Sequence, residues 1–199
     1  MPPNTMSITE DKKSKRQFIQ ETAAMLFREK GFAATSMRDL AKAVDLQASS
    51  LYNHFPSKQE ILWEICRENA TRFLDGMKAI QEQYQHPAKK VEALIRLHIQ
   101  IATSDATSVT SFNDEWRHLT EPHLSNFRQM RKDYQDRFRA IIEEGIASGE
   151  FRPIHPMVAL LTLLSSVRWI YDWYQTNKKL TTNDLETQLS ELVLKGLFK

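Results

Sequence analysis

Apolar residues recur at steps of three and four along most of this chain, the spacing that places them on one face of an α-helix. Five glycines and seven prolines are spread over 199 residues. A β-sandwich or barrel needs a turn roughly every 8 to 12 residues, so this chain has too few turn-forming residues for either. The sequence therefore predicts an all-α protein of about nine helices, without strands or internal repeats.

The composition excludes several classes of protein. Hydrophobic residues make up 41% of the chain and charged residues 26%, so neither a disordered nor a fibrous chain is expected. The single cysteine, Cys66, has no partner for an intrachain disulfide or a cysteine-based zinc cage. The N-terminus lacks the apolar core of a secretory signal, and no apolar run approaches the roughly 18 residues that span a bilayer. We expect a cytoplasmic protein that uses no membrane, metal or cofactor.

The small positive charge is concentrated at the N-terminus. Residues 1–60 hold nine Lys or Arg against seven Asp or Glu, and the remainder balances at 18 of each. Four of the nine lie at Lys12, Lys13, Lys15 and Arg16. This basic arm, residues 10–16, is spaced to reach along a phosphate backbone, although short basic clusters are also common at solvated helix starts.

Two short amphipathic segments lie between residues 36 and 55. Ser36 and Asp39 form a capping-box pattern at the start of the first, and a tight turn at Asp45 leads into the second. In a helix-turn-helix unit, the second helix can lie in the DNA major groove. The exposed residues of the second segment are small, polar and nearly uncharged, as a surface that reads base edges should be. Spacing alone leaves open an ordinary helix pair in a bundle.

Four short motifs fall in one uninterrupted register over residues 18–62: GF at 31–32, TS at 35–36, LA at 40–41 and LYNHFPSK at 51–58. In this register the segment resembles the DNA-binding domain of the TetR family of bacterial regulators. The resemblance implies an N-terminal three-helix domain with a helix-turn-helix over residues 1–58. It also implies a helical ligand-binding and dimerisation domain over residues 59–199. The whole chain would then be a ligand-responsive repressor that binds double-stranded DNA.

The resemblance assigns roles to individual residues by position. It implies that bases are read by Gln47, Ala48, Ser49, Ser50 and Asn53, and that phosphates are gripped by Thr35, Tyr52, His54 and Lys58. The chain departs from the family pattern at two places. Asp45 stands where the family usually has glycine, and Gln47 stands where Ser or Thr more often begins the recognition helix. Both departures leave the operator sequence open.

The C-terminal segments Met157 to Tyr174 and Leu185 to Phe198 carry more apolar residues than one small bundle is expected to cover. Pairing of two copies would bury this surface in a four-helix interface. We therefore predict a homodimer formed through helices 157–174 and 184–198. Burial of the same residues in an internal core is the alternative.

The middle of the chain is rich in aromatic residues, a subset of which is expected to line a cavity for a small apolar inducer. The predicted ligand-binding residues are Phe73, Met77, His98, Phe112, Trp116, Tyr134, Trp169 and Trp173, with Asn113, Arg117 and His118 as nearby polar groups. Spacing does not separate lining residues from core residues. The long helix that starts after Ser57 beside the recognition helix is expected to connect the cavity to the DNA-binding domain.

The C-terminal pattern from Gly149 to Leu197 is similar to that of family members that sense acyl-CoA thioesters. This similarity implies an acyl-CoA-like inducer. Guanidinium groups bind phosphate through two parallel hydrogen bonds, so the candidates to meet the coenzyme A portion are Arg117, Arg128, Arg131 and Arg137.

Two other functions compete with this interpretation. A helical enzyme could use His98, His118 and His123 with Asp114 and Glu115 as metal ligands or as a general base. However, His118 and His123 would point about 140° apart on a continuous helix, and Pro122 lies between them. The second alternative is a DNA-binding protein of the same fold that takes no small ligand and is controlled by a protein partner or by its own abundance.

Overall fold

A computed structural model of the chain describes residues 14–176 and 179–198. Its helices are α1 (Lys15–Lys30), α2 (Met37–Ala43), α3 (Ala48–His54), α4 (Lys58–Gln83), α5 (Pro87–Ser104), α6 (Ala106–Thr110), α7 (His123–Ala147), α8 (Pro156–Arg168), α9 (Ile170–Thr176) and α10 (Thr182–Lys195). A π-helical turn, Ser111–Glu115, and a 3-10 turn, Trp116–His118, follow α6. Within the described ranges there is no strand, so the all-α prediction is confirmed.

Local signals in the sequence account for the helix boundaries of the N-terminal unit. Ser14 accepts a hydrogen bond from the Gln17 amide at the start of α1, and Gly31 ends that helix at a φ of 85°. The predicted capping box is present, because Ser36 and Asp39 each accept a hydrogen bond from the other's backbone amide. These caps satisfy amides that have no partner within the helix. They fix where α1 ends and α2 begins.

Asp45 forms the turn between α2 and α3 at a φ of 52°, in the left-handed region. A β-carbon is unfavourable in this region, and Asp tolerates it better than most residues. We expect Asp45→Gly to be more stable than Asp45→Ala by about 1–2 kcal/mol, with the wild type between them. Urea unfolding of the three proteins measures the order. Equal stability of the glycine and alanine variants would contradict a strained turn.

The helices enclose two hydrophobic cores, and α4 contributes to both. Ile61, Ile65 and Ala70 of α4 pack with α1 to α3 in the first core, and Phe73 and Met77 pack with the C-terminal helices in the second. The predicted domain boundary, between residues 58 and 59, falls at the start of this shared helix. A displacement of α4 would therefore disturb the packing of both cores.

The polar run from residue 103 to 110 breaks the apolar periodicity and so predicts a loop, but the chain is helical on both sides of Asp105. The Thr103 and Thr110 hydroxyls donate to the carbonyls of Ile99 and Ala106, four residues earlier, at 2.9 and 2.8 Å. Asp105 accepts from the Ser108 amide at 3.2 Å and starts α6. The helices tolerate these polar residues because their side chains bond to the helix backbone itself.

The residue pattern over 112–119 predicts one short helix and that over 157–174 a single long one, and the structure corrects both. The first is replaced by the π-helical turn and the tighter 3-10 turn that follow α6. The second is broken at Trp169 into α8 and α9. The described residues thus contain ten α-helices, in agreement with about nine predicted, since α8 and α9 divide one predicted segment. None of the described helices is both long and apolar enough to cross a bilayer.

Most of the apolar surface of α10 is covered within the same chain. Leu185, Leu189 and Leu194 are buried in the second core, and Glu186 accepts hydrogen bonds from Arg96 and Gln100 of α5. This packing corrects the expectation that α10 leaves a broad apolar face. The apolar side chains of α8 to α10 that stay exposed are Val158 (54%), Leu161 (51%), Trp169 (43%) and Leu192 (74%).

Candidate DNA interface and ligand cavity

Helix α3 presents a polar surface of the kind that contacts bases. Its inner side is held by Leu51, which is fully buried, and by Phe55 directly after the helix. Gln47 is the residue that precedes α3, and its side chain makes no capping hydrogen bond. Of the predicted DNA-contacting residues here, Gln47, Ser49, Tyr52 and Asn53 are exposed, and Ala48, Ser50 and His54 are half-buried. The structure thus exposes Gln47, Ser49, Tyr52 and Asn53, whereas Ala48 packs against the first core.

Two of the predicted phosphate contacts are engaged inside the protein. The Thr35 side chain is 1% exposed and its hydroxyl donates to the Gly31 carbonyl at 2.9 Å. The Lys58 ammonium donates to the carbonyls of Phe32 and Thr35, both at 2.6 Å, and lies 4.2 Å from the Phe32 ring centroid. The Thr35 side chain is therefore not placed to reach a phosphate, which corrects that assignment. Lys58 anchors the turn after α1 with two of its three protons.

The environment of Lys58 also affects its charge. Partial burial lowers the pKa of the Lys58 ammonium, and the nearby Asp39 carboxylate opposes that effect. A phosphate contact through the third proton remains a prediction.

The described part of the basic arm is bound to the protein. The Arg16 guanidinium donates to Glu64 through Nε at 3.2 Å, donates to the His54 carbonyl, and lies 4.0 Å over the Phe55 ring. Lys15 donates to the Val44 carbonyl at 3.4 Å. Arg16 thus ties α1 to the end of α3 and to α4, which corrects the expectation of an arm free to follow the DNA backbone. Residues 10–13 of the predicted arm lie outside the described residues.

A cavity of about 240 Å³ lies between α4, α5, α7, α8 and the two turns after α6. Five predicted ligand-binding residues line it: Phe73, His98, Phe112, Trp116 and Tyr134. Met77 does not, because it is fully buried in the second core. Trp169 and Trp173 contact each other at 5.3 Å and line a shallow groove beside the cavity instead. The cavity is also lined by residues of α8 and α9 that were not among the predicted ligand-binding residues, including Leu161, Arg168 and Tyr171.

A buried hydrogen-bonded pair forms part of the cavity wall. His98 Nε2 and the Tyr134 hydroxyl are 2.8 Å apart, and the Phe73 ring lies 4.7 Å from the imidazole. Burial lowers the pKa of His98 to about 4 and raises the pKa of Tyr134. Both groups are therefore uncharged at neutral pH.

Three arginines line another part of the cavity. Arg117 and Arg131 lie 5.1 and 4.7 Å from the Trp116 ring, and Arg168 pairs with Asp114 at 3.1 Å. Burial lowers the pKa of Arg131, and the positive charges of Arg117 and Arg168 lower it further. The cavity wall thus carries three guanidinium groups, of which Arg168 is paired with the Asp114 carboxylate.

The other two predicted arginines lie elsewhere. Arg137 pairs with Asp133 in α7 at 3.0 Å, and Arg128 is exposed outside the cavity lining. Neither residue lines the cavity, so coenzyme A contacts through them remain a prediction.

Comparison with known families decides the class of protein. Residues 19–65 match the family model "Bacterial regulatory proteins, tetR family", and residues 84–197 match "Tetracyclin repressor-like, C-terminal domain". The chain belongs to the TetR family. This family is a class of transcriptional regulators and not a class of enzymes.

Several relatives span almost the whole chain. The transcriptional repressor KstR2 of Rhodococcus jostii (strain RHA1) is 26% identical over 199 residues, 99% of this chain and 98% of the relative. The structure of the ketosteroid transcriptional regulator KstR2 of Mycobacterium tuberculosis matches with a TM-score of 0.89 at 25% identity, covering 94% and 96% of the two chains. AibR in complex with isovaleryl coenzyme A and operator DNA matches with a TM-score of 0.80 at 26% identity, covering 93% and 98%.

In this TetR-family chain the segment 111–118 contacts both the cavity and the DNA-binding domain. Four of its residues line the cavity: Phe112, Asn113, Trp116 and Arg117. Glu115 accepts a hydrogen bond from the Phe32 amide at 3.3 Å, and the His118 ring stacks on the Phe32 ring at 5.4 Å. The His118 carbonyl accepts from the Gln59 side chain at 2.7 Å. Segment 111–118 is therefore a second connection between the cavity and the DNA-binding domain, beside the predicted one through α4.

Proposed function

We propose that this protein is a cytoplasmic, homodimeric repressor that binds a two-fold symmetric operator through α3 and releases it when an acyl-CoA thioester enters the cavity. The observation that carries the proposal is an apolar cavity with an arginine-rich wall, connected by segment 111–118 to a domain that exposes a base-reading helix. A dimer would place two copies of α3 one helical turn of DNA apart, or a multiple of it, as a palindromic operator requires.

The cavity size supports a ligand that is only partly enclosed. The cavity, at about 240 Å³, is smaller than the roughly 300–1,000 Å³ of pockets that enclose drug-sized ligands, which suits a short acyl group but not a whole coenzyme A thioester. The anionic remainder would then lie against Arg117, Arg131 and Arg168. The complex of AibR with isovaleryl coenzyme A gives independent support, because AibR shares this fold over nearly the whole chain.

A test of the DNA interface uses variants on the exposed surface of α3. We expect Gln47→Ala and Asn53→Ala to change the preference at single base positions by about 1–3 kcal/mol, because such side chains hydrogen-bond base edges. Tyr52→Ala should weaken operator and random DNA alike, as loss of a backbone contact does. Fluorescence anisotropy on a panel of single-base operator variants measures both effects, with Gln83→Ala at the exposed end of α4 as the matched control. Equal losses on all duplexes for all three α3 variants would refute this division of roles.

A test of the ligand class uses hexanoyl-CoA and the arginines. We expect hexanoyl-CoA to raise the melting temperature of the protein and to release operator DNA, because a ligand that binds only the folded state stabilises it. Arg131→Met should weaken hexanoyl-CoA at least about tenfold, because charge-assisted bonds to phosphate contribute about 1.5–3 kcal/mol. Arg128→Met, three residues earlier in α7 but outside the cavity, should bind like the wild type. Equal losses in the two variants would contradict an anion site at Arg131.

The alternative is a regulator of the same fold that takes no small ligand. That function predicts no thermal shift with acyl-CoAs from two to eight carbons and no release of operator DNA at concentrations that saturate related regulators. The screen therefore separates the two functions directly.

A further inference from the structure

We propose that His98 and Tyr134 form a specificity-determining pair that donates a hydrogen bond to an uncharged oxygen of the ligand's acyl part. This inference rests on the proposed function in one respect, namely that an acyl thioester enters the cavity. The oxygen is either the thioester carbonyl or an oxo or hydroxyl substituent further along the acyl group. Both sources present the same chemistry to the pair.

The position of the pair supports a role in binding. His98 of α5 and Tyr134 of α7 face each other across the cavity wall, and both belong to its lining. His98 is half-buried and Tyr134 is buried, at 8% exposure. A ligand in the cavity would therefore contact the pair directly.

The pair also keeps an unused donor. A neutral imidazole has one N–H donor and one acceptor nitrogen, and a phenol has one donor and accepts as well. If the Tyr134 hydroxyl donates to His98 Nε2, the Nδ1 proton remains. If Nε2 donates instead, the hydroxyl proton remains. Within the described chain no second hydrogen-bond partner is seen for either side chain, so in each tautomer one donor is left for a ligand.

The surroundings determine which ligand group can use that donor. The walls next to the pair are aromatic and aliphatic, formed by Phe73, Phe112, Ala102 and Val109. A carboxylate that contacted this pair and not the arginines of the cavity would lose its hydration without a counter-ion, whereas a carbonyl or hydroxyl oxygen loses far less. A plain methylene at this position would leave the donor unpaired, which weakens binding. A neutral oxygen at this position accepts the remaining hydrogen bond.

The test compares three probes that differ in their oxygens: hexanoyl-CoA, 5-oxohexanoyl-CoA and the thioether S-hexyl-CoA, which has no carbonyl. Titration calorimetry on the full-length dimer gives the dissociation constant of each for the wild type and for Tyr134→Phe, which keeps the ring and removes the hydroxyl. Tyr84→Phe, a phenol at the end of α4 outside the cavity lining, is the matched control. His98→Leu is a second variant that removes the imidazole partner.

We expect at least one of Tyr134→Phe and His98→Leu, whichever removes the free donor, to weaken at least one oxygen-bearing probe by about tenfold or more and to change S-hexyl-CoA by less than about twofold. A loss shared by hexanoyl-CoA and 5-oxohexanoyl-CoA identifies the thioester carbonyl as the partner. A loss confined to 5-oxohexanoyl-CoA identifies a substituent oxygen. The inference would be overturned if each probe bound to Tyr134→Phe and to His98→Leu with the same affinity as to the wild type.

The same three groups carried on N-acetylcysteamine, which has no phosphates, separate this inference from the proposed function. If the Tyr134→Phe effect persists on these compounds while coenzyme A adds no affinity, the inference stands and the acyl-CoA function fails. If the coenzyme A compounds bind more tightly but no variant discriminates among them, the acyl-CoA function stands and the inference fails. Absence of binding by all six compounds overturns both.

Discussion

The double substitution Val158→Glu and Leu192→Glu is expected to convert the protein from a dimer into a monomer of 23.2 kDa. Val158 on α8 and Leu192 on α10 are among the most exposed apolar side chains, at 54% and 74%. Neither packs in a core cluster of the protomer, so a charge at these positions should leave the fold intact. Buried in an interface without a partner, the same charges should be strongly destabilising.

Light scattering coupled to size exclusion measures the mass, and anisotropy measures operator binding. We expect operator affinity to fall by about 10²- to 10⁴-fold, because a monomer loses the second half-site, whose binding is intramolecular in the dimer. Met25→Glu is the control, since Met25 is an equally apolar and 45% exposed side chain on α1, away from the C-terminal helices. A double variant that keeps twice the protomer mass would exclude these helices as the interface.

A second large effect is expected from the contact between the cavity and the DNA-binding domain. Glu115 and His118 both bind Phe32, whose ring also lies against the Lys58 ammonium that anchors the turn after α1. A ligand that moves segment 111–118 would therefore displace Phe32 and disturb the packing of the turn that precedes the helix-turn-helix. We expect Glu115→Ala with His118→Ala to uncouple the two sites, so that the ligand binds but no longer releases the operator.

Linkage provides the measurement. Coupling between two ligands is reciprocal and typically about 1–3 kcal/mol, so operator DNA should weaken hexanoyl-CoA by the same 5- to 150-fold factor by which the acyl-CoA weakens DNA. In the double variant both factors should fall below about threefold, while hexanoyl-CoA binds the free protein as before. Glu143→Gln, an exposed carboxylate of α7 that faces solvent, should retain full coupling. Full coupling in the Glu115 and His118 variant would assign the connection to α4 alone.

The features predicted from sequence are those that depend on neighbours within about four residues. The capping box of Ser36 and Asp39 and the left-handed turn at Asp45 are such features, because a short polar side chain or a single backbone angle decides them. The helix-turn-helix and its exposed polar face also follow from local spacing and from the family motifs. The family models that match residues 19–65 and 84–197 confirm that assignment.

The features that sequence could not decide depend on contacts between distant residues. Nothing in the local pattern separates Phe73, which lines the cavity, from Met77, one turn later on the same face and fully buried in the core. Nor does it show that Lys58 binds two carbonyls of the turn after α1, or that Arg16 binds a carbonyl of α3 and a carboxylate of α4.

The sequence by itself therefore determined the helical class, the caps and the surface of α3, because helix formation and amphipathicity are short-range properties. Only the tertiary structure decided which aromatic residues surround empty space, and how segment 111–118 reaches Phe32, which lies more than 80 residues earlier in the chain. The physical reason is that a cavity is the space left between helices after they pack, so its walls depend on the relative placement of α4, α5, α7 and α8 and not on the periodicity of any one of them.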